Sequence, residues 1–102
     1  MQQVDGPMTI ELTQRFVKSR AVLAQDLLEG DSVLLHVDSG QYFGLDPVGN
    51  EAWKVLSTGA TLEDTRDQLL QKFDVSPDQL LSDLTALIDE LKANGLLENA
   101  GP

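Results

Sequence analysis

The sequence contains no cysteine and a single histidine, His36. The first absence excludes disulfide scaffolds, thiol redox chemistry and every cysteine-based zinc site. The second excludes a metal site built on two histidines. No apolar run approaches the ~18 residues that would span a bilayer. The first dozen residues, MQQVDGPMTIEL, lack both the basic and the apolar segment of a secretory signal, so a cytoplasmic location is expected. Aromatics make up 5% of the chain and basic residues number seven against seventeen acidic ones, a formal net charge of −10. What remains is ordinary for a small globular domain: 102 residues, 41% of them hydrophobic, enough for one modest core.

The acidity is spread along the chain. Residues 1–47 carry three basic and seven acidic side chains, and residues 48–102 carry four and ten. Neither half is a basic lobe. Nucleic-acid binding draws most of its affinity from Lys and Arg displacing condensed counterions, and an anionic membrane surface attracts the same residues. Neither partner is expected here. A basic or apolar peptide segment suits the charge better, although net charge alone also serves solubility.

Turn and capping residues divide the chain. Residues 1–20 read as a partly flexible N-terminal extension, with a weak alternation at Met8, Ile10 and Leu12, and 99–102 as a flexible tail. Between them, residues 21–46 read as an antiparallel meander. AVLAQDLL (21–28) is the first strand, Glu29-Gly30-Asp31 a turn, and SVLLHV (32–37) the second strand. Asp38-Ser39-Gly40 then turns the chain into QYFGL (41–45), the third strand.

At Asp46-Pro47 the pattern becomes helical. Asp46 suits the cap and Pro47 the first helical position, with Val48, Ala52, Val55 and Leu56 on one side and Gly59 as the stop. Thr61 opens a second helix whose apolar face is Leu62, Leu69, Leu70 and Phe73. Ser76-Pro77-Asp78-Gln79 is a capping box for a third helix over 77–94, in which Leu80, Leu81, Leu84, Leu87, Ile88 and Leu91 fall within an arc of about 120°. Asn94-Gly95 ends it, and Leu96-Leu97 can fold back onto the core. The spacing thus predicts an α+β fold, three antiparallel strands followed by three helices, the last two linked tightly as in a helix-turn-helix.

Nucleophilic catalysis finds no support in these residues. His36 lies mid-strand and reads as an edge or outward-facing histidine, and no G-x-S-x-G elbow is present. The acidic residues are spaced as solvated helix faces, with no calcium loop and no glycine-rich phosphate cradle. No enzyme activity, cofactor or metal is expected. The feature with functional promise is the third strand. If 32–37 is central, Gln41–Leu45 is an edge, and it carries neither the charge nor the proline that commonly blunts one. It can accept an added peptide strand, or be covered by residues 8–20 or by a helix.

The wording DSGQYFGLD at 38–46, followed by Gly49, Trp53 and a closing helix with Leu84, Ile88, Leu91 and Gly95, resembles the PqqD-like family over about residues 20–98. These are small winged helix-turn-helix recognition elements for precursors of ribosomally made, modified peptides (RiPPs). Family members commonly have Asn at the position of Asp46, and either residue caps a helix. The resemblance implies that 21–98 is a PqqD-like domain that does no chemistry. It would hold the precursor's leader as an extra strand beside the third strand, in a groove with the third helix. Carried over, Gln41, Tyr42, Phe43, Gly44 and Leu45 supply the backbone edge. Leu87, with Asp83 and Glu90, would line the far wall, in preference to the opposite flank of Leu81, Thr85 and Lys92. The partners implied are a leader peptide and a separate enzyme such as a leader peptidase, cyclase or radical-SAM enzyme, with the lasso-peptide type the nearest in wording. Two alternatives share the pattern: a winged helix-turn-helix DNA-binding regulator, disfavoured by a third helix with Asp78, Asp83, Asp89 and Glu90 against Lys92, and a strand-edge dimerisation module.

Overall fold

A computed structural model describes residues 10–100. The elements are β1 (Phe16–Lys18), β2 (Val22–Asp26), β3 (Ser32–His36), β4 (Gln41–Leu45), α1 (Pro47–Leu56), α2 (Leu62–Leu70), α3 (Pro77–Ala93) and β5 (Leu97–Asn99). The three-stranded sheet has the order β2-β3-β4, all antiparallel, and β1 pairs with β5 in a second small sheet. This is the α+β winged helix-turn-helix arrangement.

Alternation decides which side of the meander meets the helices. Leu34 lies opposite Ala24 and Phe43, and Ser32 opposite Asp26 and Leu45, so Val22, Leu34, Phe43 and Leu45 share one face. That face is packed, with Leu34 fully buried. Leu23, Leu35 and Tyr42 share the other, where Leu23 is 61% and Tyr42 73% exposed. The first strand is shorter than the apolar run AVLAQDLL implied. It stops at Asp26 because the Leu27 N–H donates to the Asp31 carbonyl at 2.7 Å. The reversal uses left-handed backbone at Glu29 (φ 64°) and Gly30 (φ 90°), and leaves Leu28 exposed.

Each helix starts where a capping side chain was expected. The Gly49 N–H donates to Asp46 Oδ1 at 2.7 Å, the Asp64 N–H to Thr61 Oγ1 at 3.0 Å, and the Gln79 N–H to Ser76 Oγ at 3.1 Å. Only half of the predicted capping box forms. The Gln79 amide donates to Asp83 Oδ1 at 2.9 Å instead of reaching back to the cap, an i,i+4 pair on the exposed helix surface.

Residues 10–20 belong to the folded unit, against the expectation of an extension ending at residue 20. Phe16 is 1% exposed and packs with Leu62, Leu84, Ile88, Leu91 and Leu96 in the one core. Hydrogen bonds from Ser19 N–H to Leu96 O and from Leu62 N–H to Gln14 O tie this segment to both ends of the helical half. The expected tail is corrected likewise: Asn99 pairs with Phe16, and the Ala100 N–H donates to Arg15 O at 3.0 Å. A three-residue strand whose partner lies some eighty positions away carries too little periodicity to be read from sequence. Residues 1–9 of the expected extension, Met8 among them, and residues 101–102 of the expected tail fall outside the described residues.

The far end of the meander is pinned to α1 by a buried amide. Asn50 Nδ2 donates to Asp26 Oδ1 at 3.0 Å and to Gly30 O at 2.9 Å. That hydrogen bond, and then Lys54 Nζ at 3.4 Å, hold the Asp26 carboxyl below the ordinary aspartate value.

Two substitutions test this account by chemical denaturation. Phe16→Ala is expected to cost about 3–5 kcal/mol, as for a large core side chain, whereas a dispensable extension would give almost no change. Gly49→Ala would gain about 1 kcal/mol on helix propensity alone. A Cβ there lies 3.1 Å from Asp46 Oδ1 and 3.4 Å from Leu45 Cδ2, so a net loss of about 1 kcal/mol is expected as the cap is pushed aside.

Candidate functional site

β4 is hydrogen-bonded to β3 on one side, and among the described residues no strand pairs with its outer edge. Alternate residues of an edge strand direct their N–H and C=O groups outward, so this edge presents unpaired donors and acceptors. Beside it lies a cavity of about 480 Å³. Phe43, Gly44 and Leu45 of β4 form one wall. The first turns of α1 contribute Asp46, Val48, Gly49 and Ala52. Leu80, Asp83, Leu84, Leu87 and Glu90 of α3 form the opposite wall, and Val75 closes the end next to the α2–α3 link.

Helical spacing explains the far wall. Leu80, Leu84, Ile88 and Leu91 are buried in the core. Asp83, Leu87 and Glu90, at i, i+4 and i+7, lie one step round the helix and form the stripe facing β4. Leu81 and Thr85, on the opposite flank, border a separate depression with Asp78 and Asp89. Because the chain turns from strand to helix within a single residue, the start of α1 lies beside the end of β4 and separates it from α3.

Of the residues singled out from sequence, Phe43, Gly44, Leu45, Asp83, Leu87 and Glu90 border this one cavity. Gln41 and Tyr42 belong to the edge strand but not to the cavity lining, and the Tyr42 side chain stands on the outer sheet face beside Leu35. Sequence reasoning did not anticipate Asp46, Val48, Gly49, Ala52 and Val75. The Asp46-Pro47 start signal could have found the first four, since it sets α1 directly against the end of the strand. Leu80 and Leu84, read as core, are buried and also form part of the wall.

The lining holds no hydroxyl, imidazole, thiol or amine side chain; its only ionisable groups are carboxylates. Among the described residues the ion pairs are Lys54–Asp26, Arg66 with Glu63 and Asp67, and Lys72–Glu51, so no pair involves Asp46, Asp83 or Glu90. The groove is therefore an apolar cleft with an open strand edge and a negative rim. It can bind an extended backbone. His36 lies away from it, half-buried at the end of the central strand β3, and is neither on an edge strand nor facing outward as expected. It shares the packed face with Val22, and its Nδ1 accepts from the Ser39 N–H at 3.2 Å. A Cβ on Gly95 would lie 3.2 Å from its Nε2. Among the described residues no group of three His, Asp or Glu side chains could hold a metal ion, and no helix is long and apolar enough to cross a membrane.

Comparison with solved structures finds the same architecture in complexes. TbiB1, in complex with the TbiA(beta) leader peptide, is 31% identical, with 84% of this chain and 99% of that chain aligned at a TM-score of 0.74. A lasso peptide synthetase B1 complexed with the leader peptide is 24% identical and shares the fold, with 81% and 96% of the two chains aligned at a TM-score of 0.72. No curated protein matches the sequence. The family model described as coenzyme PQQ synthesis protein D (PqqD) matches residues 31–97, from the turn before β3 to the start of β5. With two thirds of its length matched by that model, the chain belongs to the PqqD family.

Proposed function

We propose that this protein binds the leader segment of a RiPP precursor peptide as an added antiparallel strand on β4, and presents it to a separate modifying enzyme or leader peptidase. The observation that carries this reading is the unpaired outer edge of β4 facing an apolar groove. The 31%-identical relative in complex with a leader peptide supports it. In this role the edge Gln41, Tyr42, Phe43, Gly44 and Leu45 receives the guest, while Asp83, Leu87 and Glu90 contact it from α3. Tyr42 and Gly44 supply the outward N–H and C=O groups, because Gln41, Phe43 and Leu45 pair with His36, Leu34 and Ser32 of β3. Side chains of the guest alternate, so half enter the groove and half extend the outer sheet face beside Tyr42.

Backbone pairing alone is too weak for this task. At roughly 1 kcal/mol net per hydrogen bond, four bonds give about 4 kcal/mol, at the lower end of what association costs. Apolar side chains of the guest buried against Leu80, Leu84 and Leu87 must supply the remainder. In this reading the protein performs no chemistry itself, and the groove serves to hold the guest. The partner enzyme belongs to the lasso-peptide type, such as a leader peptidase or cyclase. The location is the cytoplasm, where a ribosomally made precursor first appears. The helix-turn-helix does not serve DNA here: α3 carries four carboxylates against Lys92, and repels a phosphate backbone.

The test is titration of the isotope-labelled protein with synthetic leader peptides of lasso-type precursors, followed by backbone amide shifts. Residues 41–45 and the flank of α3 bearing Asp83, Leu87 and Glu90 should shift together. Gly44→Ala, which meets no atom within 4 Å, should bind nearly as the wild type does. Gly44→Pro should weaken binding at least about tenfold by removing a donor and distorting the edge. Shifts confined to α2 and the solvent face of α1, with Gly44→Pro binding normally, would overturn the proposal.

A further inference from the structure

The groove has a charge pattern as well as a shape. On α3, Asp83 and Glu90 bracket Leu87, and the buried Leu84 lies between them. Asp83 is engaged only by the neutral Gln79 amide, and neither acid takes part in an ion pair among the described residues. Asp46 adds a third carboxylate where β4 meets α1, its Oδ1 occupied by the Gly49 N–H. The acids thus flank an apolar patch on the wall that an added strand must face.

Resting on the strand-addition reading above, we infer that the groove selects a leader segment with a basic residue on each side of an apolar anchor, in the pattern basic–x–apolar–x–basic. The spacing fits. Seven helical steps lead from Asp83 to Glu90, about 10.5 Å along the axis. Groove-facing positions of an extended guest recur every second residue, so two cations four residues apart are about 13–14 Å apart. Lys and Arg stems close that difference of about 3 Å easily, and the central side chain then lies over Leu84 and Leu87.

Directions agree as well. Gly95, just beyond α3, lies against His36, and His36 pairs with Gln41. The C-terminal end of α3 is therefore over the first residue of β4. A guest antiparallel to β4 runs the same way as α3. Its earlier cation meets Asp83 and its later one Glu90.

The probes are three fluorescein-labelled nine-residue peptides, Thr-Val-Lys-Thr-Leu-Thr-Lys-Val-Thr and its versions with both Lys replaced by Gln or by Glu. Anisotropy titrations at low and at half-molar salt give their relative affinities, and amide shifts of residues 41–45 report where they bind. At low salt the Lys peptide should bind about fivefold to tenfold more tightly than the Gln peptide, as two partly exposed ion pairs allow, with the Glu peptide weakest. High salt should compress the series. In Asp83→Asn/Glu90→Gln the Lys and Gln peptides should become equal, whereas Asp64→Asn/Glu98→Gln, which removes the same charge away from the groove, should keep most of the preference. Asp83→Lys/Glu90→Lys should reverse the order. All four altered positions are exposed, and thermal melts verify folding.

Equal binding of the three peptides to the wild type, with shifts at 41–45, would overturn the charge selection and leave strand addition standing. A preference lost equally in both neutralised variants would overturn it too, since overall acidity would then be the cause. Binding of none of the peptides, with no shift at 41–45, would count against the groove reading itself.

Discussion

The junction at Asp46 governs the geometry of the whole groove. β4 ends at Leu45 and α1 begins at Pro47, so one residue separates an edge strand from a helix. Asp46 holds that change of direction by keeping an extended backbone while its carboxylate takes the Gly49 N–H. Proline at the next position has no N–H to leave unpaired and already has a helical φ. With no loop available, α1 lies directly beside the end of the strand, and its residues Val48 and Ala52 separate β4 from α3. The helix that would otherwise cover the strand edge is held a groove's width away.

That separation requires α3 to be anchored elsewhere, and β1 and β5 perform this task. α3 buries Leu80, Leu84, Ile88 and Leu91 against the core, and Leu96 and Leu97 continue that apolar surface into β5. Phe16 enters from the opposite end of the chain and β1 pairs with β5. The far wall of the groove is thus fixed by contacts on the side remote from the guest. Leu87 remains only partly buried, and its exposed surface faces the cavity. A second anchor acts on the strands: the buried Asn50 amide joins Asp26 and Gly30 to α1, fixing the meander against the same helix.

How much of this was legible in the sequence follows from how local each signal was. The three helix starts at Asp46, Thr61 and Ser76 depend on side chains bonding to backbone three residues ahead, and all are found. The meander was legible because short glycine-containing turns join runs rich in β-branched, aromatic and leucine side chains. Phe16 was not, since its partner is Asn99 and nothing near residue 16 announces a distant strand. His36 was misread for a related reason: alternation alone does not give the absolute face at a strand's end, and the Gly95 contact is long-range. In the groove, Asp83, Leu87 and Glu90 emerge from helical spacing once a flank is chosen, but the choice of flank depends on how α3 packs. The contribution of α1 to the wall was implicit in the short link at Asp46 and was missed because Val48 and Ala52 look like ordinary core positions.

The balance of energies also explains why the site carries charge on its rim and none on its floor. An open strand edge is sequence-blind, since every peptide offers the same backbone groups, and it invites pairing between copies of the protein itself. Selectivity has to come from side chains, and a leucine-lined floor discriminates mainly by size and apolarity. A carboxylate on the floor would discriminate more strongly but would lose several kcal/mol of hydration whenever a guest without a matching cation covered it. Carboxylates at the exposed rim avoid that penalty. They add little per pair, yet together with a net charge of −10 they repel a second copy of the same acidic chain and accelerate encounter with a basic segment. In the strand-addition reading, rim acidity therefore protects the open edge from self-pairing, and the carboxylates nearest the groove are the ones proposed to favour a basic guest.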